Sequence, residues 1–333
     1  MTRAIIVCHA VGLVFLATIA VSCGGEPIAD MPKSQDSPLT TNNGLSDAQS
    51  QVSFKPVLVS TDLSVGINRF IVGLVDNIEA SLVIDAQLSF RFYRLEDEDT
   101  VAAVDEDHAT ILVVDKSYTH VHQDGKSETH GTGPVGVYVA HKKFDTSGPW
   151  GVAISGLVNE LELPTLTLEF MVNDRSRSIP LGDNAARTLQ TVLTDVEDIF
   201  DIDTSSPPDP HMHNTTIAEA VTSTIPSVIL FGSPGLCLSQ TCGPVKEAVD
   251  AMYEQFGHLV HFIHVEPYDL IKARDIGKLV LVPALSEWGL LTDPWVFVVD
   301  SDGRITAKFE GIVTYRELET ALLAVLPQTN NPV

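Results

Sequence analysis

Two cysteines in the C-terminal half of the chain are the residues whose type and spacing point most directly to chemistry. Cys237 and Cys242 are separated by four residues and follow an apolar run at 225–231 that predicts a strand. Apolar residues at helical spacing come after them and predict a helix, and Pro244 suits its first turn. Unpaired N–H groups at a helix N-terminus favour a thiolate. The pattern therefore predicts a thiol–disulfide site where a strand passes into a helix.

The spacing of the two cysteines limits the backbone between them. On a regular helix, five residues rise about 7.5 Å and the side chains diverge, whereas a disulfide needs Cα atoms within about 7 Å. An oxidised pair therefore predicts a non-helical segment over 238–241 and a helix that begins near Gly243. We expect Cys237 to be the more exposed sulfur and the point of attack by an outside thiol. We expect Cys242, nearer the helix start, to be the more thiolate-prone.

Three phrases carry a resemblance to known proteins. Cys242-Gly-Pro-Val245 resembles the Cys-Gly-Pro-Cys of thioredoxins, and the four-residue spacing from Cys237 is similar to that of Q-type peroxiredoxins. Pro294 and the Trp-Val-Phe-Val after it are similar to the thioredoxin segment that carries a cis-proline opposite the active site. Over about residues 53–326 the chain resembles two-domain secreted bacterial proteins (Chloroflexota-like) with a C-terminal thioredoxin-like, or redoxin, domain. This resemblance implies Cys237, Cys242 and Pro294 as catalytic residues and a disulfide facing Pro294.

The chain departs from the resembled families at three positions. The predicted strand at 227–231 has no acidic residue, although thioredoxins keep a buried acid there. Pro234 stands where peroxiredoxins keep a threonine, and Asp293 precedes Pro294 where their helper arginine would be. Three functions stay open: thiol–disulfide exchange, a non-catalytic module with a structural disulfide that binds a partner or a metal, and thiol peroxidation. No cofactor is expected.

The composition and the N-terminal segment indicate which partners and which cellular compartment to expect. The 333 residues carry 44 acidic side chains against 20 Lys plus Arg, a net charge of −24 that argues against nucleic acid and anionic lipid as partners. Residues 1–23 read as a targeting segment, and its end at Cys23 resembles a bacterial lipobox. The resemblance implies a lipidated Cys23, and the alternative is a plain secretory signal. Either way we expect an extracytoplasmic protein, membrane-bound through a lipid anchor only, with envelope protein thiols or disulfides as partners.

The remaining sequence predicts a multidomain chain. A polar stretch over 24–51 reads as a flexible tether. Short alternating strands over 52–175 predict an all-β, immunoglobulin-like sandwich with Trp150 in its core. The acidic residues 96–99 and 105–107 are expected to form a solvated loop. In the same region His120, His122 and His130 bracket a polar loop and are weak candidates for a copper or zinc site.

The C-terminal part predicts alternating strands and helices. A proline-rich connector over 176–213 leads into a predicted α/β thioredoxin-like domain over 214–327, with a tail over 328–333. His211 and His213 in the connector could approach the cysteines, although a packing or surface role is the simpler expectation. His261 and His264 fall on opposite faces of their predicted strand, so they cannot belong to one site.

Overall fold

The structure is a computed structural model that describes residues 54–96, 100–115, 118–121, 126–130, 133–237, 239 and 241–327. All of them belong to one compact unit, Ser50–Val333. The predicted signal segment, tether and Cys23 lie outside the described residues. Within the described part of the chain, no helix is long and apolar enough to cross a membrane.

The first half of the unit is built from antiparallel strands. They are β1 (Phe54–Leu58), β2 (Gly66–Asp76), β3 (Ser81–Leu82), β4 (Gln87–Glu96), β5 (Thr100–His108), β6 (Thr110–Asp115), β7 (Tyr118–Val121), β8 (Ser127–His130), β9 (Pro134–Phe144), β10 (Gly148–Val158) and β11 (Leu161–Val172). One sheet has the order β1-β2-β9-β6, with β3 paired to β2. A second has the order β11-β10-β4-β5, and β7 and β8 form a separate hairpin.

An aromatic core joins the two larger sheets. Its largest members come from β2, β4, β9, β10 and β11: Phe70, Phe90, Phe92, Phe144, Trp150 and Phe170. The rings of Phe70 and Phe92 meet edge-on with centroids 5.0 Å apart, a geometry that adds to the burial of their apolar area. Trp150 is buried as expected, and its Nε1–H donates to the carbonyl of Thr146. The immunoglobulin-like assignment of this two-sheet region stays a prediction.

One local prediction in this region is wrong. Residues 105–107 are not part of a loop, because they lie in β5 and pair with β4. The backbone register sets Glu106 opposite Arg91 across the two strands. Residues 97–99 lie outside the described residues.

The second half of the unit is a four-stranded sheet with helices. Its elements are α1 (Ile217–Ala220), β12 (Ser227–Phe231), α2 (Cys242–Phe256), β13 (His261–Val265), α3 (Leu270–Ile276), α4 (Pro283–Glu287), β14 (Trp295–Val299), β15 (Ile305–Glu310) and α5 (Tyr315–Leu323). The sheet order is β13-β12-β14-β15, with β12 parallel to β13 and antiparallel to β14. One core cluster includes α4 residues and the other includes α2 and α5 residues, so both sheet faces are covered. The elements follow the predicted order along the chain.

The connector between the halves contains 3-10 turns at Leu193–Asp195, Ile199–Asp201 and Pro210–His213. Its start is fixed by Asp62, whose carboxylate accepts hydrogen bonds from the backbone N–H of Arg177 and of Ser178. Lys308 of β15 donates to Ser178 Oγ at 2.8 Å and lies 3.5 Å from Asp62. Burial works to raise the pKa of Asp62, but hydrogen bonds from Ser176 and Ser178 and the charge of Lys308 lower it. The predicted boundaries at 52–175, 176–213 and 214–327 stay predictions.

Arg69 is the main buried charge between the first sheets and the last. Its side chain, only 8 % exposed, places Nε 3.1 Å from Glu317 Oε1. The same guanidinium donates to the carbonyls of Glu310 and Ile312 at 3.1 and 2.6 Å. Glu317 also accepts from the backbone N–H of Thr314 and so caps α5. One cation therefore ties β2 to the end of β15 and to the start of α5.

Replacing Arg69 tests this tie. Arg69→Met leaves Glu317 and two buried carbonyls without their donor, so we expect a loss of about 3 kcal/mol in the free energy of unfolding. Denaturant titration measures it. Arg175→Met is the control, because Arg175 pairs with Asp183 on the exposed surface and should change the stability by about 0.5 kcal/mol or less. Equal effects of the two substitutions would contradict the assigned role of Arg69.

Candidate functional site

The two cysteines lie at the junction of β12 and α2. The strand ends at Phe231, the chain turns through 232–237, and the helix begins at Cys242, one residue before the predicted start. Thr241 is the N-cap residue, and Leu238 and Gln240 lie outside the described residues. Because α2 is 15 residues long and packs against the sheet, its first turn is a fixed platform for the second cysteine.

Cys237 and Cys242 form a disulfide with Cα atoms 6.0 Å apart. Their surroundings differ: Cys242 is fully buried, whereas Cys237 is partly exposed. The backbone N–H of Cys242 points at Cys237 Sγ at 3.3 Å. The first N–H of the helix, which has no partner within the helix, is therefore directed at the sulfur of Cys237. An incoming thiol also reaches this outer sulfur more easily than the buried sulfur of Cys242.

The loop before β14 closes over the inner sulfur. The Asp293–Pro294 peptide bond is cis. A Cβ built on Gly232 would lie 3.5 Å from Pro294 Cβ and 3.8 Å from Cys242 Cβ, so Gly232 lies between the proline and the buried cysteine. The structure thus brings Cys237, Cys242 and Pro294 into one site.

Asp293 is a site residue that the sequence reasoning missed. Its Oδ2 lies 3.2 Å from Cys242 Sγ. Burial raises the pKa of Asp293, although a backbone N–H of Ser233 opposes the shift by stabilising the carboxylate. In the sequence Asp293 is notable only because it stands where an arginine would be, but the resemblance to the cis-proline segment indicates that residue 293 faces the cysteines.

An apolar cleft of about 320 Å³ adjoins the disulfide. One wall is the outer face of the first sheet, with the valines of β1, β2 and β9. The other wall is the site itself, with Thr241, Thr292 and Asp293. The two halves of the unit therefore build the approach to Asp293 and the helix start jointly.

The histidines proposed as a metal site are described only in part. The backbone register of the hairpin pairs Tyr118 with His130 and His120 with Glu128. His122 lies outside the described residues, as do the side chains of the other two. The copper or zinc hypothesis for His120, His122 and His130 stays a prediction.

A second polar cluster lies buried beneath the cysteine loop. His213 Nε2 is 3.1 Å from Asp203 Oδ2, and His264 Nδ1 is 3.5 Å from Asp203 Oδ1. Burial works to raise the pKa of Asp203, but the charge of His264 and the hydrogen bond from His213 hold it well below its usual range. His213 therefore belongs to a polar cluster and not to simple packing or the surface. His211 is exposed and stacks on Tyr253.

Glu266 connects this cluster to the cysteine loop. Its Oε2 accepts hydrogen bonds from the backbone N–H and the hydroxyl of Thr204, at 3.2 and 2.8 Å. Thr204 Oγ1 in turn accepts from the N–H of Gly235 at 3.0 Å. Burial raises the pKa of Glu266 to about 7, against the opposing charge of His264. Two acidic residues thus lie around the site although the strand at 227–231 has none: Glu266 beneath the cysteine loop and Asp293 beside Cys242.

Comparison with known proteins gives a partial likeness to solved structures. No protein-family model and no curated protein matches the chain. Among solved structures, the chain is similar to one described as "Structure of MTB dsbF in its mixed oxidized and reduced forms". That match has 17 % identity and a TM-score of 0.24, and it covers 31 % of this chain and 83 % of the other.

The raised pKa of Asp293 has a consequence for stability. Below the unfolded-state pKa the carboxyl is protonated in both states, whereas above the folded-state pKa the fold must hold a buried charge. Asp293→Asn should therefore stabilise the fold at neutral pH, and this gain should vanish as the pH falls through the normal carboxyl range. Denaturant titrations of both proteins at several pH values measure the difference. A gain that is independent of pH would contradict the assignment.

Proposed function

We propose that the protein is a thiol–disulfide oxidoreductase that uses Cys237 and Cys242 in a thioredoxin-like domain. The observation that carries the proposal is the asymmetry of the pair: the outer sulfur is accessible and receives a helix N–H, while the inner sulfur is buried against a carboxyl group. A structural disulfide needs no such difference. The sheet order β13-β12-β14-β15 and the cis-proline beside the cysteines support the thioredoxin-like assignment.

The first step opens the disulfide. A substrate thiolate attacks Cys237 Sγ, a new sulfur–sulfur bond forms between them, and the Cys237–Cys242 bond breaks with its electron pair on Cys242. Protonated Asp293, 3.2 Å away, then gives its proton to the Cys242 thiolate. The raised pKa of Asp293 suits this role, because it keeps a larger protonated fraction as the pH rises.

The second step releases the product. A second thiolate of the substrate attacks the substrate sulfur of the mixed disulfide, and Cys237 leaves as a thiolate. The substrate loses two electrons and becomes a disulfide, and the protein gains both. The N–H of Cys242 aims at Cys237 Sγ, so we assign the thiolate to Cys237 and not, as the sequence suggested, to Cys242. In the reverse direction Asp293 accepts the proton from Cys242.

The cleft suggests the kind of substrate. Its lining is mostly apolar and includes Ser239, whose Oγ is 3.2 Å from Cys237 Sγ. A cysteine flanked by aliphatic side chains that binds in this cleft would therefore have its sulfur close to Cys237. We propose envelope proteins with such cysteines as substrates. The lipobox-like sequence at Cys23 supports an extracytoplasmic, lipid-anchored location, where disulfides form and persist.

A redox titration tests the proposed function. The potential of the Cys237–Cys242 pair should fall within the range of catalytic disulfides, about −120 to −270 mV. Cys237→Ser and Cys242→Ser should each abolish turnover in a disulfide-reductase assay, because each removes one of the two exchanging sulfurs. A potential below about −300 mV, or activity that survives both substitutions, would make the pair structural.

A charge in the cleft tests the proposed substrate site. Val57 lines the cleft and is 42 % exposed, whereas Val65 is 40 % exposed and does not line it. Val57→Lys should raise KM about tenfold for a dithiol peptide with aliphatic flanks, because a charged group must then be desolvated. Val65→Lys is the matched control and should leave KM unchanged. The same KM in both variants would mean that the substrate binds elsewhere.

A further inference from the structure

The polar cluster beneath the cysteine loop is buried and built from three separate parts of the chain. Asp203 lies in the connector after a 3-10 turn, His213 ends another such turn, and His264 lies in β13. Their side chains are 0 to 2 % exposed. Buried polar groups of this kind need a partner for each hydrogen-bond donor and acceptor.

Nδ1 of His264 faces a carboxylate. Nε2 of the same ring is 2.7 Å from the carbonyl oxygen of Gly232. A carbonyl only accepts hydrogen bonds, so Nε2 carries a proton whether the ring is neutral or charged. Nδ1 faces Asp203 Oδ1 at 3.5 Å and has no hydrogen-bond partner. The carboxylate favours a cation at this point, which is either a second proton on the ring or a metal ion bound by the neutral ring.

The distances fit a metal ion as this cation. A tetrahedral zinc ion with bonds of about 2.1 Å holds neighbouring ligand atoms about 3.4 Å apart. Each oxygen of Asp203 faces one histidine, with His264 Nδ1 3.5 Å from Oδ1 and His213 Nε2 3.1 Å from Oδ2. When one ligand atom is taken from each of the three residues, all of these atoms lie within 4.8 Å of one another. The bond from His264 to Gly232 also matches metal-ligating histidines, which commonly donate their other N–H to a carbonyl or carboxylate.

A cavity completes the site. It has a volume of about 240 Å³, and its lining includes His213, His264 and Glu266, so an ion can enter and a fourth ligand has room. Oε1 of Glu266 is buried and has no hydrogen-bond partner. The nearby cation Lys246 is engaged by Asp250 at 2.5 Å. A divalent ion would therefore meet more carboxylates than cations.

We propose that Asp203, His213 and His264 form a binding site for a divalent transition-metal ion of the zinc class, with the cavity beside Glu266 open to a fourth ligand. Two imidazoles and a carboxylate are a donor set that zinc favours when one position stays open. The bond from His264 to Gly232 would connect the ion to the loop that holds Cys242. The site does not depend on the proposed redox function, and either can fail without the other.

Zinc titration of the full chain tests the proposal. The protein is stripped with a chelator and kept oxidised so that Cys237 and Cys242 offer no thiolate, and every variant carries His122→Ala to remove the candidate loop site. Calorimetry should give a single-site isotherm with micromolar or tighter affinity.

His213→Gln and His264→Gln should each weaken zinc binding about 100-fold or more. Each substitution removes a metal ligand, and this costs at least as much affinity as the loss of a residue that only hydrogen-bonds a ligand. The His261→Gln control, with a partly exposed residue of the same strand outside the cluster, should bind as tightly as the parent.

Two further readouts keep the test decisive if a variant is unstable. Co²⁺ should give the intense visible bands of a tetrahedral ion in the parent and not in His213→Gln, whose amide can still donate to Asp203. Zinc should also raise the melting temperature of the parent and of His261→Gln but not that of His213→Gln. No binding by the parent, or binding equal in all variants, would overturn the proposal and leave a proton between His264 and Asp203.

Discussion

The contact between the first sheets and the last depends on a small set of buried charges. Arg69 reaches from β2 to two carbonyls and to the carboxylate that caps α5, and Asp62 holds both the connector and Lys308. These groups are costly to bury alone and are satisfied only when the two halves meet. They therefore fix the position of one half relative to the other more narrowly than the apolar contact of Ile71 with Ile312 could. The cleft beside the disulfide has walls from both halves, so its shape depends on this fixed position.

The chemistry at the cysteines follows from where each element ends. The end of β12, the start of α2 and the loop before β14 converge on one point, and Gly232 leaves room for Pro294 to approach Cys242 there. The convergence gives the two sulfurs different neighbours, a backbone donor for the outer one and a carboxyl group for the inner one. The proposed disulfide exchange uses this difference, since one sulfur must be attacked and the other must leave.

Local patterns predicted much of the C-terminal half from sequence. The strand before the cysteines and the start of the helix after them depend on nearby residues, and they occur close to where the sequence predicts them. The acidic strand β5 was missed because its polar residues suggested a loop, whereas pairing with β4 decided its structure. Tertiary partners override local preference in such cases.

The polar residues around the site could not be predicted in the same way. Asp293 contacts Cys242 across 51 positions of sequence, and His264 meets His213 and Asp203 from another element altogether. His261 lies outside the cluster that contains His264, as the alternation of the strand predicts, but the alternation does not identify the residues that His264 meets. The contacts of His264 depend on how the connector folds over the edge strand β13, and residue spacing within one segment does not predict such contacts.

The shared construction of the cleft also bears on how the protein can be divided. A fragment starting in the connector would keep both cysteines, Asp293 and Pro294, yet it would lose the wall formed by β1, β2 and β9. It would also expose Ile312, which packs against valines of the first sheet, and leave Glu317 without Arg69. Truncation would thus separate the proposed disulfide exchange from the proposed substrate cleft, and an excised C-terminal part would be less selective and more prone to association than the whole chain.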